Sequence, residues 1–213
     1  MYKHKEGITL RKLHKGDLHA LMALKSESWW GTHGTSIINA EDQLKWYESL
    51  GHNNLAMMAE GEGNTGHNNA IGIALFTDID WFARTLNLSG SVFKESRKME
   101  EIVKPAFSCG LDFCFEVLNM QRVQAEVLET HAAAQKLEIG HLGMKVEGRR
   151  RRAVFKSGRY YDSIMLGILK EEWEQTERVK AHLESKTGCC NDVFDHQQAQ
   201  RLIQLSQKWL GSE

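Results

Sequence analysis

The chain has 213 residues, 41% hydrophobic and 26% charged, a balance that suits one compact domain with a modest appendage and excludes a disordered chain. Lys and Arg number 27 against 28 Asp and Glu, a formal net charge of −1, so no global positive field draws nucleic acid or an acidic membrane surface. The longest clean apolar run, Ala70 to Phe76, is far shorter than the roughly 20 residues of a bilayer helix, and the opening residues lack a signal-peptide apolar stretch. A cytoplasmic protein is expected, without a membrane segment. Cys109, Cys114, Cys189 and Cys190 are too few and too clustered for a disulfide framework.

In chain order, Ile8 to Leu13 alternates apolar and polar residues as a half-buried strand, and a helix follows Gly16-Asp17 with Leu18, Leu21, Met22 and Leu24 on one face. Asn39 is placed as the N-cap of a second helix, Glu41 to Leu50, so Ser28 to His33 reads as a loop. Leu55 to Ala59 and Ile71 to Ile79 read as strands around the Gly- and Asn-rich turn 61–69, and Leu86 to Phe93 as a further strand. Met99 to Leu118 has a helical apolar spacing, with Pro105 in an early turn. Val123 to Leu128 is a strand and Ala132 to His141 a helix that stops near Leu142-Gly143. Val146 to Phe155 and Tyr160 to Leu169 form a hairpin over Lys156-Ser157-Gly158. The expected domains are 1–173 and a helical extension, 174–213. The last helix of that extension carries an apolar stripe of Leu202, Ile203, Leu205, Trp209 and Leu210 that must dock on its own domain or on a second copy as a homodimer.

Three stretches resemble the GNAT N-acetyltransferase superfamily, in its branch with the RimJ and RimL ribosomal-protein acetyltransferases and sugar-amine acetyltransferases. They are Leu111 to Val123 (LDFCFEVLNMQRV), Gly143 to Gly148 (GMKVEG), and Gly158-Arg159-Tyr160-Tyr161-Asp162 with Leu169-Lys170-Glu171-Glu172-Trp173. The resemblance covers about Ile8 to Trp173. It implies an α/β (α+β) fold, with a central mixed, mostly antiparallel, splayed sheet of about seven strands flanked by helices. It also implies acetyl-CoA as cosubstrate, held along the strand edge near Val92 and Phe93, with its pyrophosphate at the N-terminus of the helix that opens near Met99.

The family's glycine-rich phosphate loop is absent, since no glycine lies between Gly90 and Gly110. Lys94, Arg97 and Lys98 are therefore expected to bind phosphate by side-chain charge, beside Met99 and Glu101. His131 stands where the family has Asn. Glu138 or Ile139 falls at the place of the family's acidic Tyr, because the helix reads one residue longer.

Amine acetylation needs a neutral amine, a polarised thioester carbonyl and a proton for the departing sulfur. The amide of Val92 or Phe93 can polarise the carbonyl. The candidate acid and base groups are Glu138, Tyr160 and Asp80, with Asp78, Glu95 and His33 as further bases. The acceptor pocket implied by the resemblance is walled by Trp29, Trp30 and His33 and by Asp80-Trp81-Phe82, whose flat rings suit a sugar or a cationic chain; a structural plug is the competing role for each Trp. Arg149 to Arg152 alternates faces on a strand, so charge pairing within the hairpin is expected and nucleic acid is not. No metal site is expected, since the adjacent Cys189 and Cys190 lack ligand spacing.

The lead function is acetyl-CoA-dependent acetylation of a primary amine, on a small molecule such as an amino sugar or on a protein N-terminus. The alternatives are a non-catalytic binding protein that kept the fold and an acyltransferase for a modified nucleic-acid base.

Overall fold

The computed structural model describes residues 1–4, 7–28, 39–61, 69–93 and 98–175. Trp29, Trp30, His33, Lys94, Glu95, Arg97 and the extension beyond 175 lie outside the described residues. The elements are β1 (Tyr2–Lys3), β2 (Ile8–Lys12), α1 (Leu18–Ser28), α2 (Ala40–Glu48), β3 (Leu55–Gly61), β4 (Ala70–Asp80), β5 (Thr85–Val92), α3 (Lys104–Asp112), β6 (Arg122–Leu128), α4 (Ala132–Gln135), β7 (Lys145–Lys156), β8 (Arg159–Leu169) and α5 (Lys170–Glu174). One sheet carries all eight strands in the order β1-β2-β3-β4-β5-β6-β8-β7. Every neighbouring pair is antiparallel except β5 with β6. This is the mixed, mostly antiparallel sheet expected, with one strand more. The extra strand, β1, has two residues, too few for a periodic signal, and is turned onto β2 by Gly7 at φ +75°.

The sheet buries both faces over β2 to β5. On one face Leu18, Leu21 and Leu24 of α1 meet Met58, Ile73 and Phe93; on the other Cys109, Leu111 and Phe113 meet Phe76, Leu86 and Leu88. The Asn39 cap is realised: its side-chain Oδ1 accepts from the Asp42 amide at 2.8 Å. The long helix read over 99–118 is one helix with a wide turn at each end, Met99–Val103 and Phe113–Val117, around the regular α3. In the first wide turn Lys98 O accepts from both Ile102 N and Val103 N, and Pro105 opens the regular segment, where a missing N–H costs least.

The stretches that carry the family resemblance have identifiable structural duties. Asp112 is buried and binds His4 Nε2 at 2.9 Å, while Trp173 Nε1 donates to its other oxygen at 3.0 Å. Trp173 also stacks on Phe115 at 5.0 Å, which ties both chain ends of the domain to α3. Glu172 accepts from the Leu169 amide at 3.0 Å and so caps α5. Gly143, at φ +75°, ends the α4 segment in the left-handed conformation that favours glycine.

Candidate active site

β5 and β6 pair only over Thr85↔Arg122, Leu86↔Val123 and Asn87↔Gln124, although β5 runs on to Val92 and β6 to Leu128. Beyond Asn87 the sheet is therefore split by a wedge. Two bonds fix which backbone groups face it: Arg84 O accepts from Gln121 N on the β6 side, and Phe93 N donates to Ile71 O on the β4 side. Alternation between these ends turns the amides and carbonyls of Leu88, Gly90 and Val92 toward the wedge. The Val92 amide thus lies on the open edge of β5, whereas the Phe93 amide is spent on β4 and its ring is buried against the α1 side.

A narrow cleft runs between β5 and α3, lined by Leu88, Gly90, Val92, Ala106, Phe107 and Gly110 among others. Gly90 lies so close beneath α3 that a Cβ there would stand 3.5 Å from the Phe107 ring and 3.0 Å from Ile73 O. Ala106 and Gly110, one helical turn apart, leave the cleft room that larger side chains would fill. A free strand edge with a narrow apolar channel fits an extended, amide-bearing chain such as pantetheine.

At the mouth of the wedge two acids of the glycine-free segment, Glu100 and Glu101, pair with neighbouring lysines. Glu100 pairs with Lys104 at 2.5 Å and Glu101 with Lys98 at 3.3 Å, both on the surface. An exposed pair of this kind is worth little, so Lys98 can exchange Glu101 for a phosphate at small cost. Lys94 and Arg97 lie outside the described residues, and of Met99 only the backbone is described.

After β6 the chain enters α4 through His131, at the N-cap position but without a side-chain cap bond. Gln135 instead donates to the last strand carbonyls, Leu128 O and Glu129 O, at 3.0 and 2.9 Å. The extra residue inferred from spacing is absorbed by a wide turn at Lys136–His141, in which Leu142 N reaches back to Leu137 O. Glu138 sits inside that turn, only 9% exposed, and its Oε2 has no hydrogen-bond partner. Burial alone pushes its carboxyl up from 4.5 to about 7. The structure thus holds a buried, protonatable acid in the wide turn that follows β6 and α4.

Three expected site residues are placed elsewhere. Asp80 closes the β4–β5 turn, accepting from Phe82 N at 2.9 Å and Ala83 N at 2.8 Å. Its partner Thr85 lies seven residues from Val92, about 23 Å along the strand at the closed end of the split. Trp81 is at the same end, donates Nε1 to His52 O at 3.1 Å and packs on the core, which is the plug role. Trp81→Ala should lower the melting temperature while leaving the KM for the amine unchanged; a raised KM at unchanged stability would restore it to the acceptor site. Tyr160 is 61% exposed, with its ring against Phe155 beside the β7–β8 turn, and β6 separates its strand from β5.

The sequence reading missed Glu126. On β6, Val123, Ala125 and Val127 pack into the core on the α3 side, so Gln124 and Glu126 face the opposite side of the sheet. Glu126 is two residues past the last β5 pairing, on the wall of the wedge, and accepts from Ser163 Oγ and, at 3.2 Å, from Arg150 Nη1. The Val-Gln-Ala-Glu-Val alternation held the signal for its facing, though not for its place beside the split.

No helix among the described residues is long and apolar enough to cross a membrane. A search of curated proteins finds no matching relative. Among solved structures, the chain resembles the spermidine N-acetyltransferase of Vibrio cholerae in complex with CoA and spermine, with a TM-score of 0.72, 20% identity, and coverage of 79% of this chain and 99% of that one. A dodecameric structure of spermidine N-acetyltransferase from the same organism, in an intermediate state, matches with a TM-score of 0.67 at 20% identity over 82% of this chain and 99% of that one. The family profile described as an acetyltransferase (GNAT) domain matches residues 8–145, well over half of the sequence. With the split sheet and its free strand edge, this match shows that the chain belongs to the GNAT acetyltransferase family, N-acetyltransferases that take their acetyl group from acetyl-CoA.

Proposed function

We propose that the protein acetylates a primary amine, on a small molecule such as an amino sugar or on a protein N-terminus, using the β5–β6 wedge for acetyl-CoA and Glu138 as the proton donor. The observation that carries this reading is the unpaired edge of β5 at Leu88, Gly90 and Val92, facing a split that only three residue pairs close. Bound there, acetyl-CoA supplies a thioester carbon for the amine nitrogen to attack, with the thiolate leaving.

The chain's own groups then have separable duties. The β5 amides pair with the cosubstrate's backbone-like amides and leave one N–H, near Val92, to stabilise negative charge on the carbonyl oxygen. Glu138, neutral below about pH 7, gives its proton to the departing sulfur and regains one, through water, from the attacking nitrogen as that nitrogen becomes the neutral amide. Lys94, Arg97 and Lys98 hold phosphate charge at the head of the helix, where the macrodipole adds to their effect. His131, between β6 and α4, is assigned to the cosubstrate side of the same opening. Self-association is part of this proposal, supported by the dodecamer of the Vibrio cholerae enzyme.

The test is release of free CoA on mixing acetyl-CoA with a panel of amines. Turnover of any primary amine supports the reading, and folded protein that releases no CoA above the amine-free rate contradicts it. Replacing Lys94, Arg97 and Lys98 together by Ala should weaken acetyl-CoA more than a few-fold, since each charge-assisted contact is worth roughly 1.5–3 kcal/mol. An unchanged dissociation constant would remove these three from the site.

A further inference from the structure

The face of the sheet opposite α3, where β6, β8 and β7 adjoin the wedge, carries opposite charges in a fixed order. Glu126 is nearest the split. Arg150 reaches across from β7, two strands away, to meet it at 3.2 Å. Next to Arg150 the β7–β8 register breaks, and Arg150, Arg151, Arg152 and Ala153 line one concavity. Arg151 and Arg152 are exposed and make no ion pair among the described residues.

The bulge is built. Arg152 is held at φ +53°, a conformation costly for a residue with a side chain, by its amide's 2.7 Å bond to Asp162. Asp162 is fixed in turn by Arg149 at 2.6 Å and, through its own amide, by Glu129 at 2.9 Å. The bulge thereby fixes the backbone that carries the three arginines, of which Arg150 meets the Glu126 carboxylate on the wedge wall.

This arrangement suits poorly a polyamine that carries only positive charge. Of the carboxylates this face presents among the described residues, Glu126 already meets Arg150 and Glu147 already meets Arg122. Beyond Glu126 the bulge sets Arg149, Arg150, Arg151 and Arg152 against Asp162 and Glu129, so the local field is net positive and a second cationic centre entering it would be repelled.

We propose, resting on the reading of the wedge as the acetyl-CoA site, that the acceptor is a small amine bearing an anionic group, phosphate or carboxylate. Its ammonium end lies at Glu126, beside the split, and its anion lies in the Arg150–Arg152 concavity. Binding exchanges the internal Glu126–Arg150 pair for two pairs to the ligand. That pair is partly solvent-exposed and so costs little to open, while guanidinium forks grip a phosphate or carboxylate with two parallel bonds. Glu126 acts here as a specificity-determining residue and takes no part in proton transfer to sulfur.

The test is calorimetric binding to CoA-saturated protein of four amines with matched chains: butylamine, 4-aminobutanoate, 3-aminopropyl phosphate and spermidine. The expected result is that at least one anionic amine binds about tenfold or more tighter than both butylamine and spermidine at low salt, with the advantage shrinking as salt rises. Which one does so separates a phosphate from a carboxylate acceptor. Arg151→Gln with Arg152→Gln, two exposed positions without ion pairs, should abolish that advantage while leaving CoA affinity unchanged, and Glu126→Gln should weaken all four amines. Tighter binding of spermidine, no binding by either anionic amine, or an advantage that survives the double variant overturns the proposal alone. Failure of CoA itself to bind overturns the wedge reading with it.

Discussion

Glu138→Gln is expected to make the protein more stable at pH 8 and nearly inactive. Above pH 7 the buried Glu138 carries a charge without a partner, and each tenfold change in an ionisation equilibrium is worth about 1.4 kcal/mol. A carboxyl raised from 4.5 to about 7 therefore withholds roughly 3 kcal/mol of stability at alkaline pH. The direction follows from proton counting. Between about pH 4.5 and 7 the folded chain holds a proton at Glu138 that the unfolded chain has released, so this group's effect is a loss of stability as pH rises through that window. Gln has the same shape and cannot ionise, so the variant should lose this pH dependence and melt higher at pH 8, with a gain of about 1–3 kcal/mol after allowing for its own buried amide. Its kcat should fall by about a hundredfold or more, the usual worth of a positioned acid, with acetyl-CoA affinity unchanged. In the native enzyme the rate should decline above about pH 7 as Glu138 loses its proton, and the variant should lack that decline. Thermal melts at pH 5 and pH 8 with a kcat profile on both proteins check this. A variant with native kcat would return Glu138 to an ordinary helix position.

Asp112→Ala should be the most destabilising change outside the wedge. It removes one buried carboxylate and with it the hydrogen bonds that the His4 ring and the Trp173 indole make to it. A hydrogen bond to a charged group is worth roughly 1.5–3 kcal/mol, so losing two of them should cost about 2–5 kcal/mol in urea titration. Acetyl-CoA affinity at a temperature where the variant remains folded should be native. A loss below 1 kcal/mol would mean that the two donors find new partners and that α3 does not depend on the chain ends for its anchorage.

The strands from β2 to β8 and the helices between them were legible because their apolar spacing is local: a period of two or 3.6 shows itself within a dozen residues. So was the longer helix after β6, since counting from His131 to Gly143 exposes one residue too many, and the wide turn at Lys136–His141 is where it goes. The site was less legible because its geometry is set by register between distant strands. Asp80 and Trp81 look like rim residues at a strand end, but the parallel pairing of Thr85 with Arg122 makes that end the closed one. Phe93 lies beside Val92 in sequence and differs by one step of alternation, which gives its amide to Ile71. Glu126 looked like an ordinary strand polar residue until the pairing stopped two residues before it. The arginine run was read as charge pairing within the hairpin, which Arg149 fulfils with Asp162; the bulge that sets Arg151 and Arg152 apart has no local signature.

The central claim is that the free edge of β5 is an acetyl-CoA site despite the missing glycines. Isothermal titration of acetyl-CoA into the full chain, repeated with Gly90→Val, tests it most directly. A Val side chain at Gly90 would grow into the Phe107 ring and the cleft lining, so saturable binding of one acetyl-CoA per chain should be found in the native protein and be lost or weakened at least tenfold in a variant that circular dichroism shows to be folded. Absence of binding in the native protein, or equal binding in a folded Gly90→Val, would contradict the account.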